Sequence, residues 1–362
     1  MHVQSISIKN IRNLADATVE LSQGINIFYG QNAQGKTNLL EAIYFAGVGR
    51  SFRTSLYKEM IAFDKSDSFI TAQVVSEFAN DTIRVELTKD KKTISINGIN
   101  IKKLNDLFGA LLVVVFSPED LNLVSGAPAL RRKFVDINLC QLNALYYHTL
   151  GKYYHILNQR NALLKKIKIG KATKDTVFLW DAGLVEHGAK LIQYRTDYIN
   201  NLCEIARGFH SNITGGSEVL DIAYKPNITK EKYEAKLADA LERDIILGTT
   251  SVGIHKDDFS IFVNTIDARN FASQGQKRSV ALSLKLSGVE YIKERGETPV
   301  LLLDDVLSEL DESRQKFLLA HIQGLQTVLT CTGVEDVIAK IENQNDINLK
   351  MYNVERGNIW LR

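Results

Sequence analysis

The run Gly30-Gln31-Asn32-Ala33-Gln34-Gly35-Lys36-Thr37 is spaced to hold a phosphate. It follows the pattern G-x-x-x-x-G-K-[ST], and each fixed position answers a chemical need. Gly30 lets the chain turn sharply off an apolar strand, Ile25 to Tyr29. Gly35 allows close backbone approach, so that successive N–H groups form a concave nest for a β-phosphate. Lys36 brings an ammonium to the β- and γ-phosphates, and the Thr37 hydroxyl is a ligand for Mg²⁺. The helix that follows adds the positive end of its dipole. Four such positions coincide by chance in about 1% of chains of this length. The implied ligand is ATP with Mg²⁺.

Two further segments carry chemistry. Val300-Leu301-Leu302-Leu303-Asp304-Asp305 is an apolar strand that ends in two carboxylates. Asp304 at a sheet edge beside the phosphate loop would hold Mg²⁺ through its water shell. Asp305 would orient or deprotonate an attacking water. Lys36, Asp304 and Asp305 are therefore the candidate catalytic residues. Ser273-Gln274-Gly275-Gln276 precedes a helical segment and, taken alone, is a helix start with a serine cap.

These residues need a scaffold of strands and helices. Ile6 and Ile8, Val19 and Leu21, and Ile25 and Ile27 alternate as strands do, and helical spacing begins at Leu39, Leu40, Ile43 and Tyr44. Strands return at 69–75, 83–87 and 93–96, with Asn97-Gly98 as a turn signal, and a buried strand is expected at 111–116. Residues 119–247 read as long amphipathic helices, strand texture resumes over 251–264, and 300–303 and 327–330 are further strands. The expected fold is α/β, a mixed sheet with helices plus a mainly helical arm. Residues 1–118 with 248–362 form a discontinuous head, and 119–247 an inserted arm.

Composition narrows the class. The chain has 362 residues, 45% hydrophobic, 24% charged, with a net charge of +2, so any nucleic-acid contact must be local. Cys140, Cys203 and Cys331 form no CxxC pair, which argues against a disulfide framework or structural zinc and suits a reducing cytoplasm. MHVQSISIKN lacks a secretory apolar stretch, and the longest apolar run falls far short of the roughly 20 residues of a membrane span. A soluble cytoplasmic protein is expected.

The order phosphate loop, S-x-G-Q, acidic strand resembles the head of ABC-type ATPases that act on DNA, the SMC and recombination-repair class. Within it the chain resembles the RecF family over nearly its whole length. The motifs are GQNAQGKTNLLEAI at 30–43, FSPEDLNLVSGAPALRRKFVD at 116–136, GIHKDDF at 253–259, SQGQKR at 273–278 and LLLDDVLSELD at 301–311. Ile254, Lys256 and Lys277 depart from the family's usual Pro, Arg and Gln, and leave Ser273, Gly275 and the Asp pair intact. Ser117-Pro118-Glu119 replaces the Gln of transporter-type members, and Thr330-Cys331-Thr332 stands in place of their switch His. Slow hydrolysis is the expected consequence.

The resemblance implies an ATP-dependent homodimer in which Ser273, Gln274, Gly275, Gln276 and Asp311 contact the ATP held by the partner protomer. It also implies a weak DNA-dependent ATPase that binds double-stranded and gapped DNA and works with RecO and RecR to load RecA. The basic tract Arg160, Lys165, Lys166, Lys168, Lys171, and the pair Arg131-Arg132, are the candidate DNA contacts. Arg131-Arg132 has an alternative role in bracing the arm against the head. A transporter motor is disfavoured by the missing Gln and His, and a small-molecule P-loop kinase would have no task for Ser273 to Gln276. His255 with Asp257-Asp258 offers only a lone histidine, for which a structural role is expected over a metal site.

Overall fold

The computed structural model describes residues 1–77, 79–333, 338 and 348–362. Along the chain run β1 (His2–Ile11), β2 (Leu14–Glu20), β3 (Ile25–Tyr29), α1 (Lys36–Val48), β4 (Asp67–Val75), β5 (Asn80–Thr88), β6 (Lys92–Ile96), β7 (Ile99–Asn100) and β8 (Val113–Phe116). There follow α2 (Leu121–Ser125), α3 (Pro128–Leu142), α4 (Ala144–Lys168), α5 (Val177–Thr214), β9 (Leu220–Lys225), α6 (Tyr233–Leu247), β10 (Asp258–Val263), β11 (Ile266–Asp267), α7 (Ala268–Phe271) and α8 (Gln274–Lys293). The chain closes with β12 (Val300–Asp304), α9 (Glu312–His321), β13 (Thr327–Cys331), β14 (Leu349–Glu355) and β15 (Asn358–Leu361). Contacts divide it into two units, Met1–Asp120 with Leu284–Arg362, and Leu121–Ser283.

The first unit is built on two six-stranded sheets, β2-β1-β4-β5-β6-β7 and β15-β14-β3-β13-β12-β8. The first is antiparallel and alternates, as in β4, where Ser68, Ile70, Ala72 and Val74 are buried and the residues between them are not. In the second, β14, β3, β13, β12 and β8 run parallel, and β12 and β13 are buried along their full length. That burial matches the apolar run Val300 to Leu303 of β12, and in β13 it takes in Thr327 and Thr330 as well. Helix α1 contacts strands of both sheets and is buried almost all round, from Leu39 through Val48. A helix apolar on every face belongs inside a core, and α1 is the centre of this one.

The second unit departs from the expected arm in two ways. Residues 220–225 form a strand rather than helix, paired in register with β10 through Ile222 and Ile261. Leu220 and Ile222 are buried on one face, a period-2 signal too short to stand out among long helices. The unit also runs to Ser283 and not to 247, because β10 and β11 join β9 in one three-stranded sheet. Strand β10 itself begins at Asp258, after a 3-10 turn at Ile254–Lys256, later than the strand texture expected from 251.

Buried arginines hold this unit together. Arg160, fully buried, donates to Asp181 at 2.5 Å, Asp244 at 2.8 Å and the Thr250 hydroxyl at 2.9 Å. Arg195 spans Asp136, Asp257 and the Ile254 carbonyl. Arg131 makes a two-point bond to Asp258 and reaches the carbonyls of Leu123 and Gly126, while Arg132 donates to the Asp257 carbonyl. The assignment of Arg131 and Arg160 to DNA is thus overturned, since both guanidiniums are inside and paired. Arg131 ties α3 to the start of β10 within this unit, and its partners Asp258, Leu123 and Gly126 all belong to the same unit.

Both nitrogens of His255 are engaged, with the Tyr153 hydroxyl and the Thr250 carbonyl, and burial lowers its pKa to about 4. It is a neutral structural histidine beside the buried Asp257, which accepts from Tyr224, Asn227 and Arg195.

Removing one partner of a buried ion pair strands the other charge, at a cost of about 3–5 kcal/mol. Arg160→Ala is therefore expected to lower the stability of this unit by about that amount in urea denaturation. Lys166→Ala, at an exposed position, should shift it by less than about 0.5 kcal/mol.

Candidate functional site

The phosphate loop joins β3 to α1 and opens at the carboxyl ends of the parallel strands, where ligands of such sheets bind. Two glycines are obligatory by space as well as by conformation. A Cβ at Gly30 (φ 150°) would lie 2.3 Å from the Val354 carbonyl oxygen. At Gly35 (φ 116°) it would lie 2.8 Å from Oδ1 of Asn13.

The loop's carbonyls are tied away from its open face. Lys36 Nζ donates to the carbonyls of Gly30 at 2.6 Å and Gln31 at 2.8 Å. The Ala33 carbonyl accepts from Asn13 Nδ2 at 3.1 Å, and the Gln34 carbonyl from the Gly357 N–H at 3.0 Å. The Gln34 side chain in turn accepts from the Arg356 N–H at 2.5 Å. A peptide group is planar, so fixing its C=O turns the N–H of the same plane to the opposite side. The nest is shaped by two hairpin turns, Arg12-Asn13 between β1 and β2 and Arg356-Gly357 between β14 and β15. Neither turn carries a recognisable phosphate motif; an Asn in a tight turn and a Gly after a positive-φ residue were the only signals.

Asp304 reaches the loop across one intervening strand. Sheet order places β13 between β3 and β12, and Thr330 on β13 fills the gap. Thr37 donates its hydroxyl to Asp304 Oδ1 at 2.7 Å, Thr330 donates to the same oxygen at 3.0 Å, and the Asp305 N–H donates to Thr330 Oγ1 at 2.9 Å. Asp305 has φ 51°, a left-handed conformation that a non-glycine residue holds only when its surroundings impose it. Burial pushes the Asp305 carboxyl above its ordinary value, and Ser308 and Lys36 only partly offset this. Burial likewise lowers the Lys36 ammonium, against the pull of Asp305 and Asp304. Cys331, at the end of β13, is a protonated thiol with its pKa raised to about 11, chiefly by burial.

Behind the loop, Glu41 of α1 is fully buried and receives Arg12 in a two-point bond, the Ser51 hydroxyl, and Arg53. Burial pushes its carboxyl up, but these donors more than reverse that, and it sits below the ordinary value. Arg53 also holds Asn38, which donates to Asn13 at 2.7 Å. None of Asn13, Arg12, Glu41 or Thr330 was expected as part of the site.

The other candidates lie elsewhere. Ser273 is exposed, at the entrance of α8 in the second unit. Its hydroxyl accepts from the Gln276 N–H at 3.2 Å and its N–H donates to Gln276 Oε1 at 2.8 Å, a reciprocal capping box. Asp311 caps α9 and pairs with Arg314, remaining half-exposed. Lys165, Lys166, Lys168 and Lys171 are exposed around the end of α4, and Arg132 is half-buried.

The family model of the RecF/RecN/SMC N terminal domain matches residues 2–357. The DNA replication and repair protein RecF of Clostridium tetani (strain Massachusetts / E88) is 42% identical over 368 residues, covering 99% of either chain. That of Lachnoclostridium phytofermentans is 41% identical over 360 residues, 99% of this chain and 100% of the relative. A solved structure of the recombination mediator protein RecF with ATP aligns with TM-score 0.92 at 36% identity, over 100% of this chain and 97% of that one. The Smc head domain of Pyrococcus furiosus, at 12% identity and TM-score 0.58, shares the fold.

Truncating Lys36 to Ala is expected to abolish retention of a fluorescent ATP analogue. Asn13→Ala, which frees the Ala33 carbonyl, should weaken it roughly fivefold, the worth of about one hydrogen bond; an unchanged dissociation constant would remove the hairpin turn from the site.

Proposed function

This chain is a member of the RecF family, and from that premise we propose that it is an ATP-gated DNA-binding protein of replication and recombinational repair. The observation that carries the reading is the bond from Thr37 to Asp304, which joins the phosphate loop to the acidic strand in one polar site.

The loop's N–H groups and Lys36 receive the β- and γ-phosphates. Mg²⁺ prefers hard oxygen donors, and the adjacent Thr37 hydroxyl and Asp304 carboxylate fit it; there it would neutralise phosphate charge. Asp305 stands next to that pair and orients or deprotonates the attacking water. Thr330 is committed to Asp304, and Cys331 is a neutral thiol, so the segment where a switch His would stand supplies no proton shuttle near neutral pH. Hydrolysis is slow as a result.

Ser273, at the positive end of α8, receives the γ-phosphate held by a partner protomer. Gln274, Gly275, Gln276 and Asp311 form the surrounding seam. ATP closes a homodimer and loss of the γ-phosphate opens it, because the anion joining two surfaces is gone. The closed dimer binds double-stranded and gapped DNA, with the exposed lysines 165, 166, 168 and 171 on its phosphates. The RecFOR pathway named for the solved RecF–ATP relative supports RecO and RecR as partners. Together they would help load RecA.

Light scattering with and without ATP tests the switch. Ser273→Arg is expected to bind ATP and stay monomeric, and Asp305→Asn to bind ATP and persist as a dimer. An ATP-independent dimer indifferent to Ser273→Arg would refute the shared nucleotide. Retention on duplex DNA should fall steeply between low and moderate salt, and flat retention would remove the lysine tract.

A further inference from the structure

The turn that carries Ser273 is not held by its own helix alone. Gln276 uses Oε1 to accept the Ser273 N–H and Nε2 to donate to Glu218 Oε1 at 2.9 Å. The other Glu218 oxygen lies 3.0 Å from Nε2 of His210, which must be the donor because a carboxylate only accepts. His210 is fully buried near the end of α5, and its Nδ1 lies 3.3 Å from Ser283 Oγ, further along α8. Glu218 thus stands between the mouth of α8 and the end of α5, with one oxygen on each.

We propose that Glu218 is a positioning residue for the nucleotide contact made by Ser273, and that its bond to His210 couples that contact to the arm helix α5. The inference rests on the reading that Ser273 receives a partner's γ-phosphate. With the Gln276 amide clamped by Glu218, the Ser273 oxygen is occupied as an acceptor of the Gln276 N–H. The hydroxyl hydrogen is then left to donate outward, where a phosphate oxygen would accept it. A shift of this turn on meeting an anion pulls on Glu218, and through His210 on α5. That helix has 38 residues and spans about 57 Å, and its first turn follows directly on the segment holding Lys165 to Lys174. One continuous element therefore runs from the Ser273 turn to the exposed lysines. A bound duplex can favour the closed dimer through it, and the reverse holds by linkage.

The test is light scattering against ATP concentration, with and without duplex DNA. Glu218→Ala should need about tenfold more ATP for half-maximal dimerisation, the loss of one charged hydrogen bond. It should also lose the shift that duplex DNA produces in the unaltered chain. Binding of a fluorescent ATP analogue at monomer concentrations is expected to be unchanged, since Lys36 and Thr37 are untouched. Glu218→Gln, which still accepts from Gln276 and whose amide can face the other His210 tautomer, should restore most of the dimerisation. Should Glu218→Ala fail to fold, Glu218→Asp, whose carboxylate is one methylene too short to meet both Gln276 and His210, breaks the same link with the seam residues untouched, and the same shift is expected. Dimerisation at the original ATP concentration in the folded variant overturns the positioning role. If Ser273→Arg also dimerises normally, the shared nucleotide itself is refuted, a distinguishable result.

Discussion

A loop that binds phosphate through its N–H groups must face its carbonyls the other way and keep them there. In this chain the carbonyls of Ala33 and Gln34 are each taken by a donor from outside the loop, and those of Gly30 and Gln31 by Lys36. The donors are Lys36, which folds back over the loop, and two hairpin turns that lie side by side, Gly357 against the Asn13 backbone. The rest of the architecture serves this constraint. Both sheets are needed because the antiparallel one supplies Asn13 and the mainly parallel one supplies Gly357. Packing α1 between them fixes where the loop ends.

The polar group Arg12–Glu41–Ser51–Arg53 extends this anchoring into the core. Buried ion pairs often contribute little net stability, since desolvation offsets attraction. Their value here is geometric. Glu41 sits one turn beyond Lys36 and Thr37, and its two-point bond to Arg12 sets the Arg12-Asn13 turn that holds Ala33. A packed apolar pair at these positions would leave that turn without a directional tie.

Three arginines of the second unit are buried, and their chemistry suits them to it. Arginine, with a planar fork of donors that carboxylates match, goes inside at 131, 160 and 195, each against two or more acceptors. Lysines 165, 166, 168 and 171, compact and strongly hydrated charges, stay at the surface. A tract that reads as one basic run in sequence thus splits into a structural bolt at Arg160 and a solvated lysine face. The same region shows how a neutral His255 and an Asp257 bonded to Arg195 can share a buried cluster without forming a metal site. Each polar atom is already matched to a donor or acceptor of the right kind.

By itself the sequence determined what depends on neighbours along the chain. The phosphate loop, the apolar strand running into Asp304 and Asp305, and the capped start of α8 are local patterns, because a turn, a strand end and a helix cap draw their geometry from a few adjacent residues. Family membership was legible for the same reason, as blocks of contiguous residues. Only the tertiary structure decided what depends on distant partners. Asn13 and Gly357 shape the loop from 20 and 323 positions away. Thr330 bridges two strands that the sequence alone left adjacent, strand β9 hid among helices, and Arg131 and Arg160 turned inward. In each case the deciding term is a hydrogen bond or ion pair across the fold, where burial makes an unmatched polar group costly. No local spacing records which distant residue will meet that demand.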